Sequence, residues 1–198
     1  WNTLTSSYEF VEQLGQYIDE DYNQFRLVQK DDKKKELGFM IVASTSEQAE
    51  RLQEWFEKNS SLKTCLVLYD EEDNATKQNE YKGHKNKETG KLESEYDGMI
   101  VFMMCITGFD APRLKRLYLM RSIKEHSLLQ TLARVNRPFK KMHYGYVVDF
   151  VDITEEYEET NRRYLEELKK DIDDEDDLTD VNDMFVDVEK VKETIKDL

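Results

Sequence analysis

Residues 99–112 read MIVFMMCITGFDAP. The eight apolar residues at 99–106 predict a β-strand that is buried on both faces. Gly108 and Asp110 follow where this strand is expected to end. Glycine lets the backbone approach a ligand, and open α/β sheets bind ligands at the carboxyl ends of their strands. We therefore expect Asp110 to accept a hydrogen bond from a ribose or to hold a neighbouring arginine. An ordinary turn or helix cap before Pro112 is the alternative for Asp110 taken alone.

A second informative stretch, SLLQTLARVNR, occupies residues 127–137. A helix over residues 128–137 would place three polar side chains on one face, namely Gln130, Arg134 and Arg137. The opposite face would carry three aliphatic side chains, namely Leu128, Leu132 and Val135. Guanidinium groups held above an apolar base suit the recognition of a polyanion, because each offers a planar fork of donors to phosphate oxygens. The solvated face of an amphipathic helix is the alternative.

Gln130 also has a purely structural interpretation. Together with Ser127 it forms the pattern Ser-x-x-Gln, a capping box in which the amide closes the start of the helix. The chain nevertheless presents, in order, a strand, a turn with a glycine and an acid, a second apolar strand at residues 117–119 and an arginine-bearing helix. These features would rarely occur in that order by chance, so the order favours a ligand site at the edge of a sheet.

Three stretches resemble a known family: TGFDAP at residues 107–112, LLQTLARVNRP at 128–138 and YGYVVDFVD at 144–152. The first two are similar to motifs V and VI of superfamily 2 helicases, and all three are most similar to the motor subunit of type I restriction enzymes. The resemblance spans residues 37–153, and the generic sequence MIVAST at residues 40–45 matches motif IV. The chain departs from the family at Met120 and Arg121, where an acidic residue followed by a basic one is common.

The resemblance implies an α/β fold, a RecA-like open and mostly parallel sheet with helices on both faces, followed by a C-terminal helical extension. In that family two such domains clamp ATP between them, and this chain corresponds to the second domain. The first domain supplies the phosphate loop and the carboxylates that bind Mg²⁺. ATP and Mg²⁺ are therefore the implied cofactors, and no metal ligand is assigned to this chain.

The resemblance also assigns roles to individual residues. Arg134 and Arg137 would be catalytic, neutralising charge that develops on the γ-phosphate. Three residues would line the nucleotide: Gly108, Asp110 and Gln130. Thr45 and Thr107 would hold the DNA backbone without reading its base sequence. The structural alternative around Thr45 is a capping box formed by Ser44 and Glu47 at the start of a helix.

The implied function is that of part of an ATP-dependent DNA translocase and endonuclease subunit of a type I restriction enzyme. The implied partners are double-stranded DNA, the modification (methyltransferase) and specificity subunits, and the first RecA-like domain of the same chain, with no membrane. This piece alone is expected to be inactive. Two alternatives remain open. One is another superfamily 2 helicase acting on DNA or RNA, and the other is a degenerate helicase-like module that binds nucleic acid or protein without hydrolysis.

The phosphate-loop pattern G-x-x-x-x-G-K-[ST] does not occur in the sequence. Its nearest approximation, at residues 83–92, lies in a polar, lysine-rich segment at 74–95 that predicts a long exposed loop with room for a short helix. Residues 70–72 read DEE and resemble an acidic strand end that binds Mg²⁺. Because such a carboxylate group needs a phosphate loop beside it, we do not assign it that role.

The net charge of −14 is unevenly distributed. Residues 151–198 carry 7 basic and 19 acidic side chains, whereas residues 100–144 carry 9 basic and 2 acidic ones. Residues 100–144 therefore form a basic island, which predicts a polyanion-binding face. The acidic tail is not expected to contact DNA.

Hydrophobic periodicity divides the chain into three parts. Residues 1–36 predict an N-terminal helix, opened by a capping box at residues 6–9 and ended by an exposed linker at 29–36. Its apolar stripe consists of Val11, Leu14, Ile18 and Tyr22. Residues 37–153 predict the RecA-like domain, with buried strands at 37–43, 64–69, 99–107, 117–120 and 145–150. Residues 154–198 predict an acidic helical extension, with Thr154 as the cap of its first helix and a second helix near 185–195.

Cys65 and Cys105 lie in predicted buried strands without the spacing of a metal site, which predicts reduced core thiols. No run of 18 apolar residues occurs. We therefore expect a soluble, cytoplasmic protein. The chain begins at Trp1 and stops in a helix-like run, so we expect it to be a fragment of a longer polypeptide.

Overall fold

The computed structural model of the protein describes residues 5–31, 35–69, 72–103 and 109–171, with the backbone alone at residues 125, 126 and 164–171. These ranges contain the helices α1 (Tyr8–Val28), α2 (Ser46–Asn59), α3 (Asn74–Lys82), α4 (Glu125–Val135) and α5 (Thr154–Asp171). They also contain the strands β1 (Gly38–Val42), β2 (Thr64–Val67), β3 (His84–Lys85), β4 (Leu92–Glu93), β5 (Gly98–Val101), β6 (Leu114–Leu119) and β7 (Tyr146–Asp149).

Five of the strands form one sheet in the order β2-β5-β1-β6-β7, and every neighbouring pair is parallel. β3 and β4 form a separate antiparallel hairpin. Parallel neighbours need crossover connections, which bring the intervening helices back over the faces of the sheet. The predicted α/β fold, an open parallel sheet with helices on both faces, is confirmed.

Alternation along β1 divides the core into two layers. Phe39 and Ile41 face the layer beneath α1 and α2, whereas Met40 and Val42 face the layer beneath α3 and α4. All of these side chains are at most 2% exposed. A central strand covered on both faces has this pattern, which explains why its sequence is apolar throughout.

Phe39 is at the centre of an aromatic cluster in the first layer. Its ring centroid lies 4.5 Å from that of Tyr22, 5.9 Å from Phe56 and 6.0 Å from Tyr118. β5 begins with Gly98 directly beside this ring, and a Cβ atom at that position would lie 2.1 Å from Phe39 Cζ. The glycine therefore makes room for the aromatic side chain of the neighbouring strand.

α1 packs against the sheet as part of the same core. The Ser7 side chain caps it by accepting a hydrogen bond from Phe10 N at 3.3 Å, and the predicted stripe is buried, with Val11, Leu14, Ile18 and Tyr22 all at most 5% exposed. Near its end, Arg26 Nη1 pairs with Asp97 Oδ1 at 2.9 Å. The stripe of α1 therefore belongs to the same core layer as Phe39 and Ile41 of β1.

Two segments that the sequence predicted to be exposed are partly buried. In the linker, Asp31 and Glu36 are 5% and 2% exposed, and the Asp31 carboxylate accepts hydrogen bonds from the N–H groups of Glu36 at 3.2 Å and Leu37 at 2.9 Å. In the segment 74–95, α3 buries Tyr81, whose hydroxyl donates to Phe39 O at 2.9 Å. These polar groups lie inside because they satisfy backbone groups around β1.

The basic island does not form a continuous basic face. Arg113 and Lys115 are 1% and 0% exposed, and Arg116 Nη2 pairs with Asp21 Oδ1 at 2.6 Å. The Arg113 guanidinium donates to backbone carbonyls of distant segments at 2.7–3.0 Å, namely those of Glu36, Tyr81 and Tyr96. The predicted polyanion-binding face is therefore wrong for these three residues, because the fold uses their charges internally.

β7 is an edge strand and not the core strand predicted at residues 145–150. It pairs with β6, but Tyr146 and Val147 are each 37% exposed. α5 follows and begins at Thr154 itself, so this threonine is the first helical residue and not the cap. The second predicted helix and Cys105 lie outside the described residues. Within the described ranges, no helix combines the length and apolar character needed to cross a membrane.

Candidate functional site at Arg137 and Asp110

The structure brings Arg137 and Asp110 together. Arg137 Nη1 lies 2.6 Å from Asp110 Oδ2, and the two side chains are 47% and 54% exposed. The sequence offered two roles for Asp110, and the structure realises the second, the holding of a neighbouring arginine. The result is a guanidinium that is oriented by a carboxylate while much of its surface remains open to solvent.

This pair does not lie at the carboxyl edge of the sheet, where the sequence placed Asp110. β6 runs parallel to β1, so the chain must return to the amino edge of the sheet before β6 begins at Leu114. Asp110 precedes that start by only a few residues, and Leu114 N donates to Ala111 O at 2.9 Å in the turn between them. Asp110 therefore lies beside the amino end of β6.

α4 ends earlier than predicted. It spans Glu125–Val135, with Asn136 as its C-cap at φ −82° and ψ 3°. Arg134 lies in the last turn with a partly buried side chain, whereas Arg137 follows the helix. The reason is Pro138, because the ring of a proline disfavours helical geometry at the preceding residue. Gln130, Arg134 and Arg137 therefore do not share one continuous helical face.

The start of α4 also differs from the sequence prediction. The helix begins at Glu125 after Lys124, so Ser127 lies inside the first turn and does not form a capping box with Gln130. Ser127 O instead accepts a hydrogen bond from Thr131 Oγ1 at 2.7 Å. The Gln130 side chain is partly exposed. The predicted apolar face is confirmed, with Leu128 and Val135 at most 1% exposed and Leu132 packed against the same cluster.

The side chain of Lys115 on β6 contacts the carbonyl groups at the end of α4. Its side chain is 0% exposed, and its Nζ donates to Val135 O at 3.2 Å and also to Arg137 O. Burial lowers the pKa of the Lys115 ammonium group. Sequence reasoning missed this residue because a lysine in a basic stretch is ordinarily on the surface.

Gly145 leaves the space that this arrangement needs. A Cβ atom at this position would lie 2.2 Å from Val135 Cγ1 and 2.5 Å from Val135 O. The Gly145 N–H also donates to Asn136 Oδ1 at 3.4 Å. The chain entering β7 therefore passes directly against the end of α4, and only a glycine permits that approach.

Thr45 is the N-cap of α2. Its Oγ1 accepts a hydrogen bond from Gln48 N at 3.0 Å and lies 2.9 Å from Ser6 Oγ. Gln48 Oε1 in turn accepts from Ser44 N at 2.8 Å. Ser44 and Glu47 therefore do not form the predicted capping box, because Thr45 is the N-cap and the side chain that reaches back is that of Gln48. The Thr45 hydroxyl takes part in these contacts, so its structural role is established. Thr107 and Gly108 lie outside the described residues.

A cleft of about 750 Å³ lies at the carboxyl edge, between the residues that follow β1, β5, β6 and β7. Its polar lining includes Ser44, Arg121 and Ser122, and its apolar lining includes Phe102 and Phe150. The Arg121 guanidinium lies 5.6 Å from the ring centroid of Phe102. Hydroxyl and guanidinium groups beside partly exposed rings can bind an anionic ligand that also has flat apolar parts. No cluster of three or more metal-binding side chains occurs among the described residues.

The open parallel sheet, covered by helices on both faces, has the RecA-like architecture that the sequence predicted. The sequence profile of the family described as type I restriction enzyme subunit R domain 3 matches residues 9–152. The chain belongs to this family. The resemblance carried by TGFDAP and LLQTLARVNRP is thereby confirmed.

Relatives with curated names agree with this family. A Methanocaldococcus jannaschii protein, provisionally named the MjaIXP endonuclease subunit of a type I restriction enzyme, is 40% identical over 86 residues, which make up 43% of this chain and 8% of that protein. The HindI endonuclease subunit of Haemophilus influenzae is 37% identical over 75 residues, or 36% of this chain and 7% of that one. The matched part of the chain therefore spans less than a tenth of the length of these relatives.

Two solved structures are similar at low identity. The helicase domain of Hef from Pyrococcus furiosus has a TM-score of 0.45 and 13% identity, covering 72% of this chain and 28% of its own. The C-terminal part of the Fun30 ATPase domain has a TM-score of 0.46 and 12% identity, covering 71% of this chain and 43% of its own. At these values neither similarity supports a conclusion about function.

Proposed function

We propose that this domain supplies the arginine half of an ATP site, and part of the DNA track, in the motor of a type I restriction enzyme. The observation that carries the proposal is the pairing of Arg137 with Asp110 at 2.6 Å, with both side chains about half exposed. An exposed pair of this kind contributes only about 0–1 kcal/mol to stability. It is better suited to holding a guanidinium where a phosphate can reach it.

In this proposal Arg134 and Arg137 approach the γ-phosphate from the end of α4. Both guanidinium groups neutralise negative charge on the phosphoryl group as it is transferred. Arginines in this role contribute about 10³ to 10⁵ in rate. Gln130 lies one turn before Arg134 on the same helix, and together with Asp110 and Gly108 it would line the nucleotide.

The residues present fit one side of an ATP site. They offer guanidinium donors and one carboxylate, whereas the sequence contains no phosphate loop. The phosphate loop and the carboxylates for Mg²⁺ would come from the first RecA-like domain of the same polypeptide. Held there, ATP would supply the phosphoryl group and Mg²⁺ would polarise it. The present domain contributes charge neutralisation across the cleft, so the domain alone is expected not to hydrolyse ATP.

The proposed DNA contacts lie at the opposite edge of the sheet. Ser44 and Arg121 line the cleft there, and Thr45 begins the adjacent helix. Such groups bind phosphates without reading the bases. Thr107 is the second proposed backbone contact. α4 connects the two edges, because it begins shortly after the end of β6 and ends before Arg137, and its 11 residues span about 16 Å.

Family membership supports the remaining partners. A motor of a restriction enzyme works with a modification (methyltransferase) subunit and a specificity subunit on double-stranded DNA, and we propose these as partners of the complete polypeptide. The same membership favours a type I motor over other superfamily 2 helicases acting on DNA or RNA. The exposed pair of Arg137 and Asp110 favours an active motor over a module that binds without hydrolysis.

The test is DNA-stimulated ATP hydrolysis by the complete subunit assembled with its partners. Arg134→Ala and Arg137→Ala should each lower the rate by about 10³-fold or more, while thermal unfolding stays near that of the parent. Arg162→Ala removes an exposed arginine from α5 and should retain the parental rate. Hydrolysis at the parental rate in either site variant would refute the proposal.

A further inference from the structure

The buried ammonium group of Lys115 holds the peptide group of Arg137. We propose that Lys115 is a positioning residue that fixes where the Arg137 side chain begins, an inference that rests on the proposed function of Arg137. The contacts that carry it are the hydrogen bonds from Lys115 Nζ to the carbonyls of Val135 at 3.2 Å and of Arg137. Lys115 itself lies outside the motifs that first indicated the site.

The end of α4 creates a need for such a donor. The last carbonyls of a helix have no partner within the helix and carry its partial negative charge. Pro138 has no N–H group and cannot continue the hydrogen-bond pattern. A positive group with three donors satisfies both requirements from one position. Lys115 therefore donates the hydrogen bonds that the N–H groups of a further helical turn would otherwise donate.

The site is built around this lysine. Its side chain is 0% exposed, so the ammonium group itself is shielded from water. Gly145 lies beside Lys115 and packs against the same helix end, where a Cβ atom would lie 2.5 Å from Val135 O and 3.1 Å from Lys115 O. The end of α4 thus contacts both β6 and the chain that enters β7. These contacts leave the helix end few alternative positions.

Arg137 is consequently fixed at two points. Lys115 holds its backbone carbonyl, and Asp110 holds its guanidinium at 2.6 Å. A side chain with four rotatable bonds would otherwise sample many positions, and accurate placement of a charged group is what catalysis of phosphoryl transfer requires. Lys115 acts only through Arg137 and does not itself contact the nucleotide.

A merely structural role for Lys115 makes different predictions. If the lysine only stabilised the fold, its loss would lower the affinity for every ligand in proportion to the loss of folded protein. If it positions Arg137, its loss would lower the affinity for ligands that mimic the γ-phosphate and would not change the affinity for ligands that lack it. Its effect would also disappear once Arg137 is removed, because both changes act on the same contact.

The experiment measures the affinity of the complete subunit for ADP and for ADP with beryllium fluoride, which occupies the place of the γ-phosphate. Lys115→Met should weaken the beryllium fluoride complex about tenfold or more, on the scale of one lost charge-assisted hydrogen bond, and leave ADP affinity unchanged. The double variant with Arg137→Ala should bind no more weakly than Arg137→Ala alone. Lys124→Met removes an exposed lysine at the other end of α4 and should match the parent.

Lys115→Gln provides a second variant that keeps a donor without the charge, in case the methionine variant does not fold. Parental affinity in the folded Lys115 variants, with weak binding by Arg137→Ala, would refute the positioning role and leave the proposed function intact. Parental affinity in Arg137→Ala would refute both. Equal weakening of ADP and its beryllium fluoride complex would show a general loss of folded protein and would also overturn the positioning role.

Discussion

Arg26 and Asp97 form a buried ion pair that joins the end of α1 to the start of β5. Arg26 Nη1 lies 2.9 Å from Asp97 Oδ1, and the side chains are 8% and 10% exposed. Asp97 Oδ2 also accepts a hydrogen bond from Lys63 N at 3.0 Å, which places the start of β2 in the same contact. One carboxylate thus connects three segments that are distant in sequence.

Removal of this carboxylate should destabilise the fold strongly. Asp97→Ala leaves the Arg26 charge buried without its partner, and such a loss costs about 3–5 kcal/mol. The free energy of unfolding, measured by urea denaturation, should fall by that amount. Glu54→Ala is the matched control, because Glu54 and Lys58 form a pair with side chains 60% and 70% exposed. A loss in Asp97→Ala no larger than in the control would contradict the prediction.

Stability should fall at alkaline pH because of three buried tyrosines. Burial raises the pKa of Tyr22, Tyr81 and Tyr118 above the usual value of 10.0. The unfolded chain releases these protons near pH 10 while the folded chain retains them, so the stability that they contribute is present below pH 10 and is lost as the pH rises further. Each group lowers stability by about 1.4 kcal/mol per pH unit in that range.

Denaturant unfolding measured from about pH 8 to pH 11 tests this slope. Tyr118→Phe should make the decline shallower. Tyr8→Phe is the control, because Tyr8 is 72% exposed, and it should leave the slope unchanged. A free energy of unfolding that stays constant above pH 10 would contradict the raised pKa values of the three tyrosines.

The close approach of Gly98 to Phe39 predicts a specific cost of overpacking. Gly98→Ala places a Cβ atom about where the Phe39 ring lies, 2.1 Å from its Cζ, and should cost about 1–3 kcal/mol. Phe39→Leu removes the obstructing ring atoms. In that background the additional cost of Gly98→Ala should be smaller, since the two sites share one space. If chemical denaturation showed the same loss of unfolding free energy for Gly98→Ala in both backgrounds, the steric explanation would be wrong.

Asp110→Asn should lower activity while leaving stability nearly unchanged. The variant removes the charge that orients Arg137, yet an exposed pair contributes only about 0–1 kcal/mol, so the melting temperature should change little. DNA-stimulated ATP hydrolysis by the complete subunit should fall about tenfold to a hundredfold, as expected for a misplaced charged group. Glu159→Gln breaks a similarly exposed pair with Arg163 on α5 and should preserve hydrolysis. Full activity in Asp110→Asn would refute a role for the pair.

Much of the fold could be predicted from the sequence because its signals are local. Apolar runs located four strands of the parallel sheet, and the spacing of Val11, Leu14, Ile18 and Tyr22 located α1 and its buried face. The strand at residues 145–150 was also predicted from its sequence, but the prediction that it lies in the core was wrong. An apolar sequence indicates a strand, whereas its position at the sheet edge depends on the order of all five strands.

The parts that sequence reasoning missed depend on long-range contacts. Lys115 is buried because the carbonyls of Val135 and Arg137 reach it, some twenty residues later in the chain. Arg113 is buried because backbone carbonyls of three earlier segments converge on it. Nothing in the local pattern distinguishes these side chains from solvated ones. The motifs did identify Asp110 and Arg137 as candidates, but their pairing at the amino end of β6 required the topology.

The strand order has a consequence for synthesis of the protein. β1 lies between β5 and β6, with Phe39 opposite Gly98 on one side and Arg116 on the other. During translation β1 therefore leaves the ribosome well before either of its neighbours exists. For that interval its two edges and its apolar sequence, FMIV at residues 39–42, are uncovered in the nascent chain. Such segments are favoured sites for chaperone binding and premature association, so yield in the cell should depend on how quickly residues 98–119 follow.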